Sequence, residues 1–379
     1  MKPSAAGYRV AVVGASSLLG KELLAVLKER KFPISRLVTF EDDEEEPGLS
    51  IVDLREHSQT AVADNAVTDA ELDFAFLAAR PRELPLFLRP ASDNAGLRQP
   101  DSPSSGATPR PAPLLSGQAK HCVVIDLDDG LAEMPGGVLK VPFLEREPPH
   151  CADASVASKA GAHPGEGNAR LFVSAHPAAI ILSSLLLRLA ARFELKSAVA
   201  LVFGPASEIG SQAIEELQKQ TVNLLSFQKI PRSIFGAQLA FNLLPRLGRT
   251  EGSGLADLEN RIRNQLRTYL ASRAPLPALR LFQAPVFYSL AFSLFVEMAK
   301  PETPEAIAQA LKGKPFSLRS LSEQAPTPVE AAGASNILVD AIRIDPGRPS
   351  GVWLLAAADN LRLAAVNAVE IAESLQPSR

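Results

Sequence analysis

The residues able to do chemistry in this chain gather at two strand-to-helix corners. One lies within Leu171 to Phe193, LFVSAHPAAIILSSLLLRLAARF, where an apolar strand (Leu171 to Val173) breaks at Ser174-Ala175-His176-Pro177 and a long apolar helix follows. Pro177 falls in the first turn of that helix, where a missing N–H costs little. The positive end of a helix stabilises a thiolate, so such a corner suits a cysteine that forms a thioester. Here the place holds Ala178 and Ala179. The other corner is Gly14-Ala15-Ser16-Ser17-Leu18-Leu19-Gly20, directly after the apolar run Tyr8 to Val13. A glycine-bounded turn ahead of a helix can present backbone N–H groups to the phosphates of a dinucleotide, although this spacing alone is a weak signal. For Gly14 and Gly20 two readings stay open, a phosphate cradle and plain helix-to-strand packing.

The remaining reactive side chains are few. Cys122 adjoins a buried strand pattern and Cys151 lies in a loop; two cysteines imply no disulfide framework and fit a reducing cytoplasm. The five histidines, at 57, 121, 150, 163 and 176, show no metal-ligand spacing with cysteines or carboxylates, so no metal site is expected. His176 can cap the long helix, face solvent or act as a substitute base. Ser183 and Ser184 sit inside the helix and are expected to bond back to its carbonyls.

These corners need elements to hold them. Tyr8 to Val13, Arg36 to Phe40, Leu72 to Ala78 and Cys122 to Leu127 are continuous apolar runs, the pattern of strands buried in a parallel sheet. Ser16-Ser17 can cap a helix with Leu19, Leu23, Leu24, Val26 and Leu27 on its apolar side, ended by Phe32-Pro33. Val138 to Pro142 predicts a short strand, and Ser197 to Phe203 opens a second alternating region. Helices are expected over Ile209 to Gln220, with its acidic and amide residues outward, and over Ser253 to Ser272, Pro304 to Lys312 and Leu361 to Leu375. Arg280 to Phe287 and Tyr288 to Met298 read as strands paired with each other, and Ile337 to Ile344 and Val352 to Ala357 as further strands. Glu41 to Glu46 (EDDEEE) reads as a solvated acidic loop, Arg89 to Gln118 as an inserted mobile loop, and His150 to Asn168 as another loop.

The 379 residues suit two domains, and 46% apolar with 21% charged residues fits a soluble globular protein, while 31 prolines point to long loops. A net charge of -3 with pI near 6.0 gives no basic footprint, so neither nucleic acid nor an anionic membrane is an expected partner. The most apolar run, Ala178 to Leu187, is too short to span a bilayer, and no signal-peptide pattern opens the chain, so a cytoplasmic location is expected.

Several stretches together resemble the aspartate-semialdehyde dehydrogenase family across nearly the whole chain. VAVVGASSLLGKELLAVLKERKFP is similar to that family's strand, G-A-T-G-A-V-G turn, helix and N-F-P exit. CVVID followed by Val141-Pro142 resembles its next sheet segment. Ala240-Phe241-Asn242-Leu243-Leu244-Pro245 resembles A-F-N-x-x-P, and Asp359-Asn360-Leu361-Arg362 with Asn367-Ala368-Val369 resembles the D-N-L-R and N-A-V of the last helix.

The resemblance implies an α/β protein. A Rossmann-like dinucleotide-binding domain would take residues 1–174 and 358–379, with 89–118 inserted and the last helix returning to it; a central α+β catalytic and dimerisation domain would take 175–357. It implies a homodimer that reductively dephosphorylates β-aspartyl phosphate with NADP(H), through a Cys, a His and a substrate-binding Arg. By the same alignment the Cys position is Ala179, the Arg position Gln283, the His position Leu290, and a conserved-motif Gln position Gly204. The implied nucleotide contacts are Gly14, Ala15, Ser16, Ser17, Leu18, Leu19 and Gly20, with Asn360, but the middle glycine is Ser17 and a glycine is missing from Leu363-Ala364-Ala365. The 2'-phosphate loop is replaced by Phe40 and Glu41 to Glu46, where each carboxylate about 6 Å from that phosphate costs roughly 0.7 kcal/mol at the dielectric of water. NADP is therefore disfavoured, and NAD or no nucleotide stays open. The expectation is a catalytically degenerate, non-enzymatic homodimer that assembles with or regulates another protein; the alternative is an NAD(P)-dependent oxidoreductase acting on an aldehyde or oxo group.

Overall fold

The computed structural model describes residues 7–40, 49–53, 58–61, 72–79, 122–128, 131, 137–146, 171–247 and 254–375. The acidic run Glu41 to Glu46, the insertion 89–118, the loop His150 to Asn168 with Cys151, and His57, His121, His150 and His163 lie outside the described residues. The chain divides into two compact units: one has the N-terminal strands as far as Pro142, the strand ending at Ser174 and the last helix from Asn367, and the other runs from Ala175 to Val366.

The first unit begins with β1 (Tyr8–Val13), helix α1 (Leu18–Glu29) and β2 (Ile34–Phe40), and continues with β3 (Leu49–Asp53), β4 (Ser58–Ala61), β5 (Phe74–Leu77), β6 (Val123–Asp126), β7 (Gly137–Lys140) and β8 (Leu171–Ser174). They form one sheet in the order β4-β3-β2-β1-β5-β6-β8-β7. From β2 to β7 neighbouring strands are parallel, and β3 and β4 add an antiparallel edge. This is the Rossmann-like arrangement. Parallel strands need cover on both faces, which is why β1, β5, β6 and β8 are almost wholly buried and apolar in sequence. Tyr8, Phe32 and Phe74 pack mutually with ring centroids 5.1 to 5.8 Å apart, each pair adding about 1 kcal/mol beyond area burial.

The second unit has helix α2 (Pro177–Ala190), β9 (Leu195–Gly204), α3 (Ser211–Leu225), α4 (Leu255–Leu270), β10 (Ala278–Gln283), β11 (Leu290–Met298), α5 (Pro304–Ala310), β12 (Phe316–Leu318), β13 (Ile337–Val339), β14 (Arg343–Asp345) and β15 (Arg348–Ala358). Its mixed sheet runs β10-β9-β11-β15-β13-β12, with β14 on β15. The expected hairpin of the 280 and 290 strands does not form. β10 lies parallel to β9, and β9 separates it from β11. The reason is local: the chain leaves the sheet between Gln283 and Leu290, and Ser289, at φ +71°, re-aims it. The expected strand Ile337 to Ile344 is two strands, β13 and β14, both on β15.

One face of this sheet is partly exposed and largely apolar. Cross-strand partners share a face, so Phe282, Phe203, Ala291 and Ala357 form one row and Val199, Phe295 and Trp353 another, with Arg280, Leu201, Ser293 and Leu355 in the row between. Trp353 is 37% and Leu355 42% exposed. Helix α6 (Asn360–Ser374) closes the described chain, its first turn capped by the Asp359 carboxylate, which accepts from Arg362 N (3.0 Å) and also from Gly333 N (2.7 Å). From Asn367 onward it belongs to the first unit. There Asn367 donates to Ser174 Oγ and the Lys140 carbonyl, and Glu370 and Glu373 pair with Arg30 at the end of α1.

Candidate functional site

In the first unit the turn Gly14 to Gly20 joins β1 to α1. Gly14 has φ +75°, and a Cβ there would stand 2.5 Å from that of Ala79. A Cβ on Gly20 would stand 2.1 Å from the Gly14 carbonyl. Both glycines are thus required by packing, whatever the turn binds. Ser17 caps α1: its Oγ accepts from Gly20 N (2.9 Å) and donates to the Ala78 carbonyl (3.2 Å). Where the family motif has a glycine, this side chain is spent inside the turn. Gly14 N and Ala15 N donate to the Phe40 carbonyl, and Ser17 N to that of Gly14. Among the described residues the N–H groups of Ser16, Leu18 and Leu19 meet no acceptor. A small set of donors for a phosphate therefore remains at the positive end of a helix.

In the second unit the structure brings His176, Ala179, Gly204, Glu208, Gln283 and their neighbours into one connected cluster. His176 is the N-cap of α2, settling the capping alternative: its Nδ1 accepts from Ala178 N (3.1 Å), and its own N–H donates to Gln265 Oε1 (2.7 Å) on α4. Because Nδ1 accepts, the ring proton of the neutral tautomer is on Nε2, which lies 2.6 Å from Glu208 Oε1. Nδ1 is thus spent on the cap, while Nε2 stands in close contact with Glu208 Oε1, an oxygen that accepts no hydrogen bond among the described residues.

Ala179 is 0% exposed, as are Ala178 and Ile180. Gln283 is 1% exposed, and its Nε2 donates to the Gly204 carbonyl (2.9 Å), which also accepts from Ala284 N (2.9 Å). Its backbone exchanges two hydrogen bonds with Leu244. A neutral amide so committed supplies no fixed charge for a carboxylate. Leu290, at the start of β11, is fully buried, an apolar side chain where a proton shuttle would stand. Asn360 accepts through Oδ1 from Ser207 Oγ (3.1 Å) and Ser289 N (3.3 Å), organising the turn before β11. Ser184 bonds back to the Ile180 carbonyl as expected, whereas Ser183 Oγ meets no partner among the described residues.

The member that sequence reading passed over is Glu208. It ends a short 3-10 turn, Ala206–Glu208, fixed by Ala206 N to the Val286 carbonyl (2.8 Å) and Ser207 N to that of Phe287 (2.9 Å). Its other oxygen, Oε2, lies 2.7 Å from where a Cβ on Gly204 would stand. The available signal was the pairing of a glycine with an acid four residues on.

Among the described residues no group of three His, Cys, Asp or Glu is placed to hold a metal ion, and no helix is long and apolar enough to cross a membrane. Cys122 is buried beside β6.

Residues 186–363 match the family model described as semialdehyde dehydrogenase, dimerisation domain. The chain is 27% identical to an aspartate-semialdehyde dehydrogenase of Aquifex aeolicus, covering 97% of this chain and 98% of that one. It is 26% identical to a USG-1 protein homolog of Azotobacter vinelandii, covering 97% of each. Its fold is shared with aspartate semialdehyde dehydrogenase II of Vibrio cholerae, solved in complex with ASA, at TM-score 0.74 and 23% identity over 97% of this chain and 98% of that one.

Proposed function

Since this chain belongs to the aspartate-semialdehyde dehydrogenase family, we propose that it is a catalytically inert member, working as a homodimer in a non-enzymatic role: assembling with or regulating another protein. The observation that carries this reading is the corner opening α2. At the position matched to the family's nucleophile stands the methyl of Ala179, enclosed on all sides, and a methyl forms no acyl intermediate. Two of the polar groups nearby are spent within the chain: His176 Nδ1 on Ala178 N and Gln283 Nε2 on the Gly204 carbonyl. Removing the nucleophile alone lowers turnover by roughly six orders of magnitude in comparable nucleophile-and-base systems. The experiment is turnover with aspartate semialdehyde, phosphate and either nicotinamide nucleotide, which should stay at the level without protein.

A second reading is favoured by the donors of Ser16, Leu18 and Leu19. They fit a nucleotide phosphate, and with one bound the chain would be an NAD(P)-dependent oxidoreductase that uses no cysteine. A bound nucleotide would supply hydride transfer, and these residues would hold its phosphates. Calorimetric titration with NAD and NADP tests it, because this reading requires saturable nucleotide binding and a flat titration would remove it.

The homodimer is supported by the matched dimerisation domain and by the partly exposed, largely apolar sheet face of β9, β10, β11 and β15. An antiparallel or mixed sheet exposing one face to water normally carries polar residues there, and an apolar one needs a partner. Two-fold symmetry would use each residue twice. Placing aspartate at both Trp353 and Leu355 is expected to weaken association at least about 100-fold, giving a monomer in sedimentation velocity with an unchanged circular dichroism spectrum.

A further inference from the structure

We infer that the C-terminal tip of α3, with Phe227 at its point, is a docking surface for an anionic lipid bilayer. The inference goes beyond the proposed function and holds or fails independently of the inert corner. Its first support is an aromatic side chain kept where it costs stability twice. Gln228 N donates to the Asn223 carbonyl (2.7 Å) and Phe227 N to that of Leu224 (3.3 Å), the pair of bonds that closes a helix on a left-handed residue. Glycine is the usual residue at that place, yet here it is Phe227, at φ +55°. Its side chain is also 99% exposed. At that exposure the described residues offer no contact that offsets either cost. Leu225 and Val222, 69% and 55% exposed, stand beside it on the last turn of α3. The tip is held out rigidly: Asn223 Nδ2 donates to the Lys229 carbonyl (2.8 Å) and Gln220 Nε2 to that of Pro231 (2.9 Å), which ties the returning chain to the helix.

What covers such a tip follows from its size and its charge. One outward stripe of α3 runs Ser211, Glu215, Gln218, Val222 and Leu225, four and three residues apart, polar along most of the helix and apolar only at its end. A partner helix or a second copy lying along α3 would therefore bury more polar than apolar side chains. Phe227, the largest of the three apolar residues, can bury about 200 Å², and with Leu225 and Val222 the tip stays short of the about 800 Å² per partner of a standard protein interface. A bilayer sets no such requirement, because the side chains enter its interface end on. The charge around the tip is of one sign. Between residues 219 and 233 the chain carries Lys219, Lys229 and Arg232, all exposed, and no acid but none is needed there by these cations except at Lys219, which pairs with Glu215 (3.4 Å). Among the described residues Lys229 and Arg232 meet no carboxylate. A cationic collar around an apolar point matches anionic headgroups above an acyl core. The whole-chain charge of -3 pointed away from such a surface, but it is an average over 379 residues, and this tip is locally basic.

The test is cosedimentation of the full chain with vesicles of equimolar phosphatidylcholine and phosphatidylglycerol, with vesicles of phosphatidylcholine alone as the reference. Wild type should bind the anionic vesicles at least about 10-fold more tightly than the neutral ones and lose that preference in high salt. Phe227→Gly, with a residue that suits φ +55°, should raise the thermal midpoint while weakening vesicle binding about 10-fold. A residue that only ended the helix would show the first effect without the second. Phe227→Trp should keep the affinity and give a blue-shifted emission on anionic vesicles, with wild type, whose one tryptophan is Trp353, as the reference. Absence of wild-type cosedimentation, or equal vesicle binding by wild type and Phe227→Gly, would overturn the inference. So would a Phe227→Gly variant that splits a wild-type oligomer and leaves vesicle binding unchanged, since the tip would then meet protein.

Discussion

Gly20→Ala is expected to lower the denaturant midpoint of the first unit, although alanine is ordinarily the better helix residue. The added methyl would stand 2.1 Å from the Gly14 carbonyl oxygen, 2.8 Å from Ala15 Cα and 2.9 Å from the Ala15 carbonyl oxygen. All three are backbone atoms and cannot rotate aside, so the turn itself must move. Overpacking of this kind costs about 3 kcal/mol, against about 1 kcal/mol gained from helix propensity. The net loss is about 2 kcal/mol, and moving the turn also disturbs the Ser17 cap, whose bond to Gly20 N fixes the start of α1. Chemical denaturation of wild type and variant measures it; an equal or higher midpoint would show that the turn accommodates a methyl.

The second large effect belongs to Glu216 on α3. Its carboxylate is almost fully buried and accepts from Ser233 Oγ (2.6 Å), Ile234 N (2.7 Å), Phe235 N (3.2 Å) and Gln220 Nε2 (3.3 Å). One turn on, Gln220 accepts from Leu239 N and Ala240 N and donates to the carbonyls of Pro231 and Ala237. Two side chains thus satisfy much of the backbone of residues 231–240. Glu216→Ala leaves at least two buried N–H groups without acceptors, at about 1 to 3 kcal/mol each, so a loss of about 3 kcal/mol is expected.

The same group sets a pH dependence. Burial pushes the Glu216 carboxyl up, but the Ser233 hydroxyl and the N–H groups of Ile234 and Phe235 outweigh it and hold the carboxyl below the ordinary glutamate range. Its contribution is therefore fully present above the unfolded glutamate value of about 4.3 and is lost as pH falls through the lower folded value. Glu216→Gln should remove that part of the acid sensitivity, seen as a shallower dependence of the midpoint on pH below about 4.3.

Glu216 and Gln220 also mark where the sequence was misleading. Acidic and amide residues on a helix normally face water, and these two face inward because the loop they hold has no regular structure to satisfy its own backbone. The strands of the first sheet were legible for the opposite reason: burial on both faces leaves continuous apolar runs such as Tyr8 to Val13 and Cys122 to Leu127. The pairing of β10 with β9 was not legible, since it joins segments about 80 residues apart, and adjacency in sequence suggested β11 instead. At the corner of α2 the sequence offered the methyl of Ala179 and a histidine that could cap; both stand there, His176 as the cap. It did not reveal Glu208, whose meaning depends on the absence of a side chain four residues earlier.

The account depends most on the corner being chemically silent, and one measurement addresses that directly. Purified full-length protein is mixed with aspartate semialdehyde, inorganic phosphate and NADP or NAD, and nucleotide reduction is followed with and without phosphate. The account predicts rates indistinguishable from the mixture without protein for both nucleotides. A saturable, phosphate-dependent rate that scales with protein concentration would contradict it.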